Sequence, residues 1–236
     1  MAFNSPCCFQ AAEGSSIVEK KATMFIGLGA AKSGSSWLWD YIAAHPEVRV
    51  EFAKEIRLFN HPEYGSLPKA VRMIPWRRYR GVNWLWGSLR RAYLRSDRRR
   101  YFDYFASLPD AERPVTGEFS PSYSNASTSV LKQIKSEFNS RDLRTVPIYL
   151  MRDPVDRLFS SAKFSIKSRN ENPYRANAEE NSFDRFERLL LMRIEKGLTD
   201  ENAIIGRIES IFHSGEYFIE FYEDLFDQAK VDSLTD

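Results

Sequence analysis

A mainly parallel β-sheet with helices on both faces is the fold that this 236-residue sequence predicts. Three observations predict it. Short β-rich apolar runs at 24–28, 115–119 and 146–151 are separated by stretches with helical periodicity. A Gly/Ser-rich turn lies between the first apolar run and the first helical pattern. The run at 146–151 passes straight into Arg152-Asp153-Pro154, where proline suits the start of a helix.

In chain order, residues 1–22 read as a flexible leader, small and polar, without the basic start and long apolar block of a signal peptide. Its adjacent Cys7 and Cys8 rarely bond each other, so no disulfide framework is expected, which fits a reducing compartment and a cytoplasmic location. Residues 23–236 then form one domain, with 43% hydrophobic residues to build its core. The run 24–28 is a buried strand ending among Gly27 and Gly29. Trp37, Leu38, Tyr41 and Ile42 recur at helical spacing over 35–44, and His45-Pro46 stops that helix. Residues 48–52 alternate like a short strand. A helical insertion is expected at 72–105, with one long helix over 88–105.

After the strands at 115–119 and 146–151, helices are expected at 155–167, 183–195 and 201–212, and a last strand at 217–221. Residues 169–181 are polar and read as a mobile surface loop. A further helix-like unit begins at Tyr222, so the domain is either cut short or finishes on a brief helix. No stretch has the apolar length of a membrane span.

The net charge of +2 hides a local excess. Between Arg72 and Arg100 lie ten arginines, one acid (Asp97) and the aromatics Trp76, Tyr79, Trp84, Trp86 and Tyr93. The simplest reading is an amphipathic insertion whose aromatics pack on the domain while its arginines stay solvated. A lid over an acceptor cleft is the other. The block has no nucleic-acid reader motif, and no nucleic-acid partner is expected.

Two motifs carry chemistry. Gly29-Ala30-Ala31-Lys32-Ser33-Gly34-Ser35-Ser36 has the glycine spacing of a P-loop in the right strand-to-helix context, where backbone N–H groups and a helix N-terminus attract anions. The lysine that a nucleoside-triphosphate loop has after its second glycine is replaced by Ser35, and a lysine stands earlier, at Lys32. A ligand-free Gly/Ser-rich connection would share this spacing. In the second motif, Arg152 ends a strand and Ser160 lies two turns into the next helix, so a guanidinium and a hydroxyl converge as a second phosphate site. The plain alternative is a solvated arginine paired with Asp153 or Asp156.

Residues 25–38, Phe-Ile-Gly-Leu-Gly-Ala-Ala-Lys-Ser-Gly-Ser-Ser-Trp-Leu, resemble the 5′-phosphosulfate loop of sulfotransferases that use 3′-phosphoadenosine 5′-phosphosulfate (PAPS). Arg152-Asp153-Pro154-Val155-Asp156-Arg157 with Ser160 resembles their 3′-phosphate motif. Two more blocks agree in order: His45-Pro46-Glu47-Val48 with Lys54-Glu55-Ile56-Arg57-Leu58-Phe59, and Gly117-Glu118-Phe119-Ser120-Pro121-Ser122-Tyr123. Both are similar to segments of heparan-sulfate-type and related bacterial sulfotransferases.

The resemblance implies a P-loop-like α/β fold and direct, metal-free transfer from PAPS to an acceptor hydroxyl or amine, leaving 3′,5′-ADP. It places Lys32, Gly34, Ser35 and Ser36 on the 5′-phosphosulfate, with Ser33 and Trp37 completing the cofactor set, and Arg152 and Ser160 on the 3′-phosphate. Glu55 becomes the general base and Lys32 the cation on the leaving phosphate. Without the resemblance, Glu55 reads as a surface glutamate paired with Lys54 or Arg57.

His61 is a competing base, while His45 fits a turn. Phe119 stands where heparan-type enzymes carry lysine, which argues against a glycosaminoglycan acceptor. No purine- and phosphate-clamping segment is recognisable after Leu225. The acceptor is expected to be a small molecule or carbohydrate, with lipid, phenol and small natural product all open. Alternatives are a magnesium-dependent P-loop small-molecule kinase and a degenerate sulfotransferase-like binding module.

Overall fold

The computed structural model describes residues 22–50, 53–60, 82–170, 182–195 and 200–226. Strand β1 (Thr23–Gly29) lies at the centre of a four-stranded parallel sheet of order β2-β1-β3-β4, with β2 (Val115–Phe119), β3 (Arg144–Met151) and β4 (Phe218–Phe221). A strand buried on both faces needs an unbroken apolar run, and Met24 to Gly29 are all buried.

Alternate side chains sort into two layers. Met24, Ile26 and Leu28 pack with α3 (Arg98–Ala106), α4 (Thr128–Asn139) and α7 (Glu201–Glu209), through Phe102, Phe105, Ile134, Phe138 and Ile208. Phe25, Phe119, Ile148 and Leu150 face the other way, onto Leu38 and Ile42 of α1 (Ser35–Ala43) and onto Leu225. The expected α/β sheet with helices on both faces is therefore present. No helix among the described residues is long and apolar enough to cross a membrane.

Two expected elements differ. The long helix over 88–105 is two helices, α2 (Val82–Arg95) and α3, broken at Ser96-Asp97. Asp97 takes an extended backbone, and its carboxylate accepts from the Arg99 N–H at 2.9 Å. Helical periodicity continues across such a cap, which hides the break. Asp97→Ala is expected to lower stability by about 1 kcal/mol in denaturant unfolding. The strand expected at 48–52 reduces to one bridge, Val48 to Val115, with Arg49 N–H donating to the Val115 carbonyl at 2.8 Å; residues 51–52 lie outside the described set.

Of the arginine-rich insertion, residues 72–81 lie outside the described residues. In its remainder Ala92 and Leu94 are buried, while Arg90, Tyr93, Arg99 and Arg100 are exposed, with Arg100 over the Tyr93 ring at 4.5 Å. The exposed arginines agree with the amphipathic reading, but Tyr93, the one aromatic of the block whose side chain is described, is on the outer face rather than packed on the domain. Residues 1–21 of the expected leader, 171–181 of the expected loop and the end 227–236 also lie outside the described residues, while Arg169 and Asn170, expected in that loop, end a helix.

The remaining elements match closely: α5 (Pro154–Asn170), α6 (Ser182–Glu195), and a 3-10 turn at Tyr222–Phe226. The carboxyl ends of all four strands share one edge. After β1 the chain crosses to β2 on one side and then to β3 on the other, so a crevice opens between the ends of β1 and β3.

Candidate active site

The loop after β1 is shaped for an anion. Lys32 and Gly34 both have positive φ (70° and 79°), an alternation that turns successive backbone N–H groups toward one concavity. Gly34 caps α1, and a Cβ there would lie 2.6 Å from the Tyr222 ring, so both conformation and space require glycine. The α1 N-terminus has no side-chain cap and no acid in its first turn, which leaves its positive end open.

A cleft of about 950 Å³ lies over this loop. Of the residues expected at the site, Lys32, Gly34, Ser35, Ser36, Trp37, Glu55, Arg152 and Ser160 all line it. Ser33 is the exception: it is fully buried beneath the loop, and its Oγ has no hydrogen-bond partner. Lys32 and Arg152 meet directly, Arg152 Nη1 donating to the Lys32 carbonyl at 3.1 Å. The Arg152 guanidinium stacks on Tyr222 at 4.4 Å, and its Nε is buried without a partner. Asp156 is only a loose partner at 3.8 Å. Such an unsatisfied buried donor suits an arriving anion.

Among the described residues, five cations (Lys32, Lys54, Arg57, Arg152 and Arg157) and one carboxylate (Glu55) line the cleft. Glu55 is paired with Arg57, whose Nε donates to Oε2 at 2.6 Å, so the ion pair expected from the sequence and the cleft position hold together. Arg157 is paired with Glu201 at 3.1 Å. The Lys32 ammonium sits 3.1 Å from the centroid of Phe164. Burial pushes its pKa below that of an ordinary lysine, and Glu55 partly offsets this.

Sequence reasoning missed Lys54. Its Nζ donates to Ser35 Oγ at 3.1 Å and Ser36 Oγ at 2.9 Å, bringing a second ammonium to the loop from outside it. Burial lowers its pKa too, against the opposing pull of Glu55 and Asp40. In sequence it is only the neighbour of Glu55, and nothing local says which of the two faces the loop. Tyr222 and Phe226 were missed as cleft walls; Phe226 packs on Trp37 at 5.4 Å, and Trp37 stacks on Tyr41 at 5.5 Å.

Of the described histidines, neither lines the cleft. His45 Nδ1 accepts from the Glu47 N–H at 3.2 Å within its turn, His213 is not on the cleft, and His61 lies outside the described residues. Phe119 is wholly buried against Gly27, facing the core.

No protein-family model and no curated protein matches the sequence. Among solved structures, the chain is similar to a sulfotransferase from Alicyclobacillus acidocaldarius, with a TM-score of 0.53 and 20% identity. The alignment covers 87% of this chain and 75% of that one. The protein has a sulfotransferase-like α/β fold.

Proposed function

We propose that the protein is a sulfotransferase that moves a sulfuryl group from PAPS to a hydroxyl or amine of a small-molecule or carbohydrate acceptor. The supporting observation is the meeting of two anion sites in one crevice, the Lys32 loop and Arg152, joined by a 3.1 Å hydrogen bond. A cleft of this volume suits a nucleotide-sized ligand, and its cationic lining favours one carrying several negative charges.

PAPS supplies the activated sulfuryl group. The backbone N–H groups of the loop, Ser35, Ser36 and Lys32 bind the 5′ end, where charge builds on the leaving oxygen. Lys54, already on the two serine hydroxyls, adds a second cation there. Arg152 offers its free Nε to the 3′-phosphate, with Ser160 on the next helix. Trp37, backed by Tyr41 and Phe226, presents an aromatic face to the base. Glu55 takes the proton from the acceptor, oriented by Arg57.

A P-loop kinase would use the hydroxyl after the loop lysine to hold magnesium. Here the ammonium of Lys54 is bonded to both serine hydroxyls, which favours the sulfuryl reading over that one.

Calorimetry with 3′,5′-ADP and with ATP–Mg²⁺ tests the proposal. The wild-type protein is expected to prefer 3′,5′-ADP, and Arg152→Ala to bind it about 10- to 100-fold more weakly. Preference for ATP–Mg²⁺ would favour the kinase. Binding of 3′,5′-ADP without labelled sulfate transfer to any acceptor in a broad screen would favour a degenerate binding module.

A further inference from the structure

The segment that carries Lys54, Glu55 and Arg57 has no regular structure before the turn at Leu58–Asn60, yet its backbone is held at three consecutive positions. The Ile56 N–H donates to Glu118 Oε2 at 2.7 Å. The Arg57 N–H donates to Ser120 Oγ at 3.1 Å, and that hydroxyl donates to Glu118 Oε2 at 2.9 Å. The Leu58 N–H donates to the Tyr123 hydroxyl at 2.8 Å, which donates to Glu118 Oε1 at 2.8 Å. All three amides thus end on one carboxylate, directly or through a single hydroxyl. A fourth donor, the Tyr101 hydroxyl, reaches Oε1 at 2.5 Å and carries none of the three amide links to the segment.

Glu118 is fully buried at the end of β2, and its four hydrogen-bond donors are all neutral. Burying a carboxylate is unfavourable, and burial pushes its pKa up while the four hydrogen bonds pull it back. An apolar residue would fill the same core position without that burden. What the carboxylate adds is an acceptor for several converging donors, which fixes the segment's path through Arg57, at a positive φ of 59°.

We infer that Glu118 is a positioning residue, a buried acceptor that moulds residues 54–58 so that Lys54 reaches the loop hydroxyls and Glu55 faces the cleft. This rests on the proposed sulfuryl transfer for its consequence in turnover, but not for its consequence in structure.

Hydrogen exchange, 3′,5′-ADP binding and sulfate transfer from PAPS are compared for wild type, Glu118→Gln, Tyr123→Phe and Tyr101→Phe. Glu118→Gln replaces one of the two acceptor oxygens with a donor amide within a ring of donors. It is expected to speed exchange at the 56–58 amides at least about tenfold, with β1 and β3 unchanged. It should lower kcat about 10- to 100-fold, with 3′,5′-ADP affinity reduced only a few-fold. Tyr123→Phe keeps the ring but cuts the Leu58 link, and should shift exchange and kcat in the same direction.

Tyr101→Phe also removes a hydrogen bond to Glu118, but none to the segment. It should lower thermal stability while leaving 56–58 exchange and kcat within about threefold. If Tyr101→Phe loses as much kcat as Tyr123→Phe, or if Glu118→Gln leaves 56–58 exchange at wild-type rates, the positioning role is wrong. Should Glu118→Gln not fold, the two tyrosine variants decide alone. Failure of wild type to bind 3′,5′-ADP would instead overturn the nucleotide reading, while the exchange comparison still judges Glu118.

Discussion

Alanine in place of Lys32 is expected to lower turnover by about 10²- to 10³-fold, the range found when a preorganised group facing developing charge is removed. Lys32 is the loop's own cation, on a backbone that already curls toward the cleft, and its ammonium sits over the Phe164 ring. Lys54→Ala should cost less, because its ammonium is already engaged by the two serine hydroxyls. The fold should survive Lys32→Ala, since the Phe164 ring beneath its ammonium is itself exposed. Equal turnover in wild type and Lys32→Ala would take this residue out of the chemistry.

The same two lysines predict a pH dependence. Burial lowers both pKa values, so each ammonium loses its proton at a lower pH than an ordinary lysine. A bound phosphate favours the charged form and raises those pKa values again. Binding of 3′,5′-ADP should therefore take up protons on the alkaline side, and affinity should fall as pH rises through the lowered values. Calorimetry in buffers of different ionisation enthalpy measures the uptake, which should shrink in Lys32→Ala.

Much of this site could be read from the chain because it is local. The loop at 29–36 and the run Met151 to Pro154 each place a candidate anion-binding group at a strand end by sequence adjacency alone. The parallel sheet then brings those ends to one edge. Lys54 was invisible for the opposite reason. Its contacts with Ser35 and Ser36 span 19 and 18 residues, and its segment has no periodicity to say where a side chain points. Glu118 was visible only as a letter in a motif. Its four donors come from β2's exit, from Tyr101 on α3 and from the 54–58 segment, a convergence that exists only once the fold has closed. The cap at Asp97 shows a third kind of failure. One carboxylate divides a continuous helical pattern without disturbing its period.

Glu55→Gln separates the two readings of that residue most sharply. If Glu55 accepts the acceptor's proton, the amide cannot replace it, and turnover should fall by about 10²- to 10⁴-fold. Nucleotide binding should move the other way. Glu55 is the single carboxylate among the described residues that line the cleft, and its removal takes one repulsion away from an incoming phosphate. Affinity for 3′,5′-ADP should thus be unchanged or slightly tighter while kcat collapses. A surface glutamate that merely pairs with Arg57 predicts a different pattern, because exposed pairs contribute little. In that case Glu55→Gln would change kcat by less than about threefold. Glu55→Ala adds a control on geometry: formate supplied in solution should restore part of the lost transfer by acting as the base in the vacated space. Retained turnover in Glu55→Gln would mean that the acceptor loses its proton elsewhere, and His61 would be the next residue to test.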